Sequence, residues 1–104
     1  MTLVRGIVDA ADPETAYQTL RDVPDAALVD VRTRAEWTFV GLPDLSATGR
    51  EPWLIEWVGF PEMQPNPRFD AEMRARIADA RPSRIFFLCR SGARSQAAAE
   101  RIAA

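Results

Sequence analysis

The chain has no histidine, no lysine and a single cysteine among its 104 residues. Without histidine there is no Ser-His-Asp triad, no Cys-His protease dyad and no imidazole metal ligand. All 13 basic residues are arginine, which removes Schiff-base chemistry and a Walker-type phosphate lysine. One cysteine forms neither an internal disulfide nor a thiolate metal cage, so no metal site is expected and no oxidising compartment is required. The longest unbroken apolar run, Ile85 to Cys89, is far too short for a membrane span. Arg5 and Asp9 interrupt the N-terminus before a signal-peptide core can form. Together these absences predict a cytoplasmic protein with no membrane contact.

What is present fits one compact domain over residues 1–104. The apolar share is 47% and the charged share 27%, enough to build a core rather than a disordered coil. The net charge of −2 is spread along the chain, and no basic stripe suggests a nucleic-acid partner.

Strand and helix signals alternate. Leu3 to Val8 reads as a first strand. Asp12-Pro13-Glu14 reads as a helix start, with Asp12 as N-cap, and Tyr17 and Leu20 give part of an apolar face. Ala26 to Val31 is a near-continuous apolar run of the kind found in buried parallel strands. Thr33 and Glu36 are spaced as a capping box, opening a short helix whose Trp37 and Val40 are expected to face inward before Gly41. Residues 41–68 hold five of the eight prolines and are expected to be mostly loop, with a strand within Trp53 to Val58. Asn66-Pro67 starts another helix, with Phe69, Met73, Ile77 and Ala80 at helical spacing. Ile85 to Leu88 forms the next strand, and a last helix begins near Ala93 to Ser95. The alternation predicts an α/β fold with a mostly parallel central sheet and helices on both faces.

The most informative stretch is Cys89-Arg90-Ser91-Gly92-Ala93-Arg94-Ser95. It places the thiol at the carboxyl end of a strand, where α/β proteins bind ligands. The small loop can turn successive N–H groups inward as an anion nest, with Gly92 free to adopt backbone angles closed to other residues. A helix N-terminus follows, and Arg90 and Arg94 add two positive charges. These features predict a thiol pKa lowered from about 8.5 toward about 5–7, so that no general base is needed. The alternative is that Cys89 is a buried packing residue, a common fate of cysteine. The glycine-and-arginine loop directly after it favours a nucleophile.

The Cys89–Ser95 loop, together with Leu28-Val29-Asp30-Val31-Arg32 followed by Glu36-Trp37, resembles the rhodanese homology domain. That resemblance covers nearly the whole chain and implies the family's three-layer fold. It implies that Cys89 takes sulfane sulfur from a small anionic donor such as thiosulfate, becoming a persulfide. A thiol, cyanide or a protein acceptor then removes the sulfur, with no cofactor. By position, the amides of Arg90, Ser91, Gly92, Ala93 and Arg94 cradle the persulfide, and Arg90 and Arg94 attract the donor. Asp30, Arg32, Glu36 and Ser95 brace the site, with Glu36 as the partner of Arg32.

Only four residues separate Cys89 from Arg94. Tyrosine-type phosphatases, which resemble this arrangement, use a loop one residue longer, wide enough for phosphate. A phosphatase or arsenate reductase is therefore the lesser enzyme alternative. A non-catalytic rhodanese-like module binding a partner through Trp53–Phe60 is the other alternative, and monomer and homodimer are both open. The family's last strand, beside the cysteine strand, has no counterpart before Ala104. The expectation is a C-terminally truncated domain, or else a gap in the sheet.

Overall fold

The computed structural model describes residues 1–4, 8–59, 61–89 and 92–103. The elements are β1 (Thr2–Val4), β2 (Val8–Ala10), α1 (Pro13–Asp22), β3 (Ala26–Asp30) and α2 (Arg34–Phe39), then β4 (Trp53–Leu54), β5 (Val58–Gly59) and β6 (Gln64–Pro65). The chain continues into α3 (Phe69–Ala80), β7 (Arg84–Leu88) and α4 (Ala93–Ala103). Five strands form one sheet in the order β2-β1-β7-β3-β4, and β5 and β6 form a separate hairpin.

The sheet is mixed. β3 lies parallel to β7 and to β4, whereas β1 is antiparallel to both β7 and β2. The expected single strand from Leu3 to Val8 is instead two antiparallel strands, and residues 5–7 between them lie outside the described part. Leu3 sits opposite Asp9 on one side and Phe86 on the other. β7 therefore has a hydrogen-bonded neighbour on each edge, β3 and β1, so the alternative of a gap beside the cysteine strand is not found and β1 occupies that place. The physical reason is that an apolar central strand leaves costly unpaired backbone groups unless another strand covers them.

Period-two alternation in the central strands sends side chains to two cores. Ala27, Val29, Val31, Ile85, Phe87 and Cys89 pack with Phe69 and Met73 of α3 and Ala98 and Ala99 of α4. Ala26, Leu28 and Phe86 pack on the other face with Ala16 and Leu20 of α1 and with Leu45. Helices thus cover both faces.

Local sequence chemistry accounts for the starts of α1 and α2. The Asp12 carboxylate accepts from Thr15 N–H at 2.9 Å and Pro13 opens α1, as the sequence predicts. In α1 the buried pair is Ala16 and Leu20, while Tyr17 is exposed. The Thr33–Glu36 capping box is formed in both directions. Val40, expected to face inward, is 75% exposed, because α2 ends at Phe39 and Val40 lies past its last turn. Asn66 is not a helix start: its side chain accepts from Arg68 N–H, and α3 begins at Phe69. Ala80 at the end of α3 is exposed rather than core. Within Trp53–Val58 only Trp53 and Leu54 join the sheet. Trp53 is buried, and Trp57 packs edge-on against Phe69 with ring centroids 4.8 Å apart. Trp53 belongs to the core and Trp57, partly buried, packs against it, while Phe60 of the same segment lies outside the described residues. No described helix is long and apolar enough to cross a membrane.

Candidate active site around Cys89

β7 delivers Cys89 to the carboxyl end of the parallel pair β3 and β7, and α4 begins four residues later. The thiol is 7% exposed. Its Sγ accepts N–H bonds from Gly92 at 3.0 Å and Ser95 at 3.2 Å. Gly92 holds φ at +90°, a region that side-chain-bearing L residues rarely adopt, and this orientation aims its amide at the sulfur. Ala93 opens α4, so the helix N-terminus points its partial positive charge toward Sγ. Two donors and a helix end favour an anion on sulfur. Arg90 and Ser91, expected in the same cradle, lie outside the described residues.

Ser95 is fully buried and ties the loop together. Its hydroxyl donates to Gly92 C=O at 3.0 Å, so its oxygen accepts from the Thr2 hydroxyl 3.2 Å away. A hydroxyl has one proton, which fixes this direction. β1 is thereby linked to the cysteine loop, a connection that sequence reading missed because Thr2 and Ser95 are 93 residues apart.

The expected pairing of Arg32 with Glu36 is not formed. Arg32 instead grips Asp30: Nε lies 2.9 Å from Oδ1 and Nη2 lies 2.6 Å from Oδ2. The Arg32 backbone N–H also reaches Oδ1, and Nη2 donates to Gly41 C=O at 2.8 Å. Asp30 and Arg32 are two apart on extended chain, so their side chains fall on one side. Asp30 is completely buried, and a buried carboxylate requires such a partner.

Glu36 turns the other way and takes Arg94 in a two-pronged ion pair, 2.7 Å at Oε1 and 3.0 Å at Oε2. Arg94, expected to draw in a donor, is engaged by Glu36. Its guanidinium still feels a Cys89 thiolate electrostatically, after the larger effect of Glu36, and by reciprocity it favours that anion. Asp30, Arg32, Glu36, Arg94 and Ser95 thus form a brace of paired charges and hydroxyls around the loop.

Hydrogen bonding from Arg94 holds the Glu36 carboxyl at about 2, below its ordinary 4.5, against an opposing effect of burial. A depressed carboxyl pKa stabilises the fold fully above about 4.5, and that stability is lost as pH falls toward about 2. Glu36→Gln is therefore expected to be less stable than the native chain near neutral pH. The gap should close through this acid window, measured by denaturant titration at stepped pH. A gap constant with pH would show that the ion pair contributes nothing.

Above the thiol lies a cavity of about 600 Å³ bordered by Arg32, Glu36, Val40, Gly41, Leu42, Pro43, Leu88 and Cys89. The apolar lip from Val40 to Pro43 was not foreseen as part of the site. Its sequence signal was its position a few residues after the Glu36-Trp37 pair. Among the described residues no three His, Cys, Asp or Glu side chains gather as a metal site.

An α/β domain with a thiol cradled by amides at a strand end defines the class of structure. No family model matches the sequence. The chain is 42% identical over 84 residues to Uncharacterized protein RC0915 of Rickettsia conorii, covering 81% of this chain and 63% of that protein. It is 41% identical over 88 residues to Uncharacterized protein RP600 of Rickettsia prowazekii, covering 85% and 66%. The crystal structure of Rv0390 from M. tuberculosis superposes with a TM-score of 0.74 at 52% identity, covering 85% of this chain and 63% of that one. The chain thus spans less than two thirds of the length of these relatives.

Proposed function

We propose that this chain is a rhodanese-like sulfurtransferase domain, cytoplasmic, that carries sulfane sulfur as a Cys89 persulfide. The observation that carries the reading is the pair of N–H bonds from Gly92 and Ser95 to Sγ at the head of α4. The three-layer rhodanese-like arrangement belongs to the same proposal and is supported by helices packed on both sheet faces.

In the loading step the Cys89 thiolate attacks the outer sulfur of thiosulfate. A Cys–S–S⁻ persulfide forms, the S–S bond of the donor breaks, and sulfite leaves with the electron pair. In unloading, a thiolate or cyanide attacks the terminal sulfur and the Cys89 thiolate is regenerated. Both steps move an anion between sulfur atoms, and inward N–H groups stabilise it without a proton-transfer residue. This accords with a chain lacking histidine.

The test is mass spectrometry after incubation with thiosulfate. The expected result is a gain of about 32 Da on the Cys89 peptide, absent in Cys89→Ser and removed by cyanide. Removal by cyanide separates a persulfide from sulfinic acid, which has nearly the same mass and does not revert. An unmodified Cys89 in folded protein under excess donor would falsify the proposal.

A further inference from the structure

We infer that the mouth above Cys89 selects a sulfane-sulfur anion carried on an apolar organic body over a bare inorganic oxyanion. The inference rests on the sulfurtransferase reading and concerns the donor class of that same site. Three observations carry it. The cavity of about 600 Å³ falls in the range that holds organic ligands, about 300–1,000 Å³, far larger than an oxyanion of sulfate size. Its lip is apolar: Val40 is 75% and Leu42 53% exposed, with Pro43 and Leu88 beside them. Apolar side chains around a nucleophile gain by being covered when a ligand body fills the mouth.

The third observation is electrostatic. Arg32, the described cation on the cavity wall, is bound to Asp30 and Gly41 C=O. Glu36 on the same wall is bound to Arg94. Among the described residues each charge at this wall is already neutralised by a neighbour. From these described side chains a doubly charged oxyanion therefore gains little, whereas an apolar body gains by leaving water.

Loading by such a donor is balanced in the same way as before. The Cys89 thiolate attacks the terminal sulfur of an R–SO₂–S⁻ thiosulfonate. The persulfide forms, the donor S–S bond breaks, and the sulfinate R–SO₂⁻ departs with the electron pair. Benzenethiosulfonate and methanethiosulfonate share this chemistry and differ only in the body.

The experiment measures Cys89 loading rates with thiosulfate, methanethiosulfonate and benzenethiosulfonate, each divided by its rate with a small free thiol. The expected result is a normalised preference for the benzene over the methane donor of about tenfold or more. Thiosulfate should be the poorest of the three. In Val40→Ser/Leu42→Ser the benzene-to-methane ratio should fall toward one. Both positions are exposed, so the variant should keep the native thermal transition, and Leu42→Ser alone should shift the ratio part of the way. Equal normalised rates, or an unchanged ratio in the folded variants, would overturn the inference and leave the sulfurtransferase reading intact. No persulfide with any donor on folded protein would overturn both.

Discussion

Asp30→Ala is expected to destabilise the domain by about 3–5 kcal/mol, the cost of leaving one partner of a buried ion pair alone. Asp30 is fully buried, and three donor groups of Arg32 converge on its two oxygens: the backbone N–H, Nε and Nη2. Removing the carboxylate leaves the Arg32 guanidinium, its side chain only 11% exposed, with the Gly41 carbonyl as its remaining hydrogen-bond partner among the described residues. A domain of this size is stable by about 5–15 kcal/mol, so the loss is a large fraction of the total. Urea titration at neutral pH measures it. A second variant separates charge burial from packing. Asp30→Leu with Arg32→Met removes both charges at once and should regain much of the loss, since apolar replacement of a buried pair is often close to neutral. A loss under about 1 kcal/mol for Asp30→Ala would mean that water reaches Arg32 and that the pair is not a structural brace.

This pair also shows where sequence reading stops. The capping box of α2 and the start of α1 were legible because their chemistry is complete within three residues, as at Thr33 with Glu36 and at Asp12 with Thr15. The core strands were legible because Ala26–Val29 and Ile85–Leu88 are apolar on both sides. Arg32 had two carboxylates within reach, Asp30 two residues before and Glu36 four residues after. The choice depended on Arg94, which approaches Glu36 across 58 positions. Only folding brings α4 beside α2. The β1–β2 reversal was hidden for the same reason, since β1 gains its place by pairing with β7 rather than by its own pattern. The lip residue Val40 reads as core in sequence, and Leu42 carries no signal of its own. Gly41, at φ +102°, turns the chain out of α2 and leaves them at the mouth.

Gly92→Ala is expected to slow persulfide formation about 10²-fold, while costing the fold about 1–3 kcal/mol. Among the described residues, apart from the glycine's own chain neighbours, no atom lies within 4 Å of where the new Cβ would sit, so crowding by them is not the cause. The cost comes from φ +90°, which an L residue escapes by rotating the adjoining peptides. That rotation carries the Gly92 N–H away from Sγ, now 3.0 Å distant, and leaves Ser95 N–H as the other amide donor described there. With one donor lost, the thiolate is less favoured, so the pH–rate profile for loading should move to higher pH. Two controls decide the cause. Ser95→Ala keeps its amide and removes only the hydroxyl links to Gly92 and Thr2, so it should affect stability more than the profile. D-alanine at position 92, placed by semisynthesis, accepts positive φ and should restore both rate and profile. If Gly92→Ala loads at the native rate with the native profile, the amide cradle is not what holds the sulfur anion. Among the described groups, the electrostatic account of Cys89 then rests on Ser95 N–H, Arg94 and the helix end.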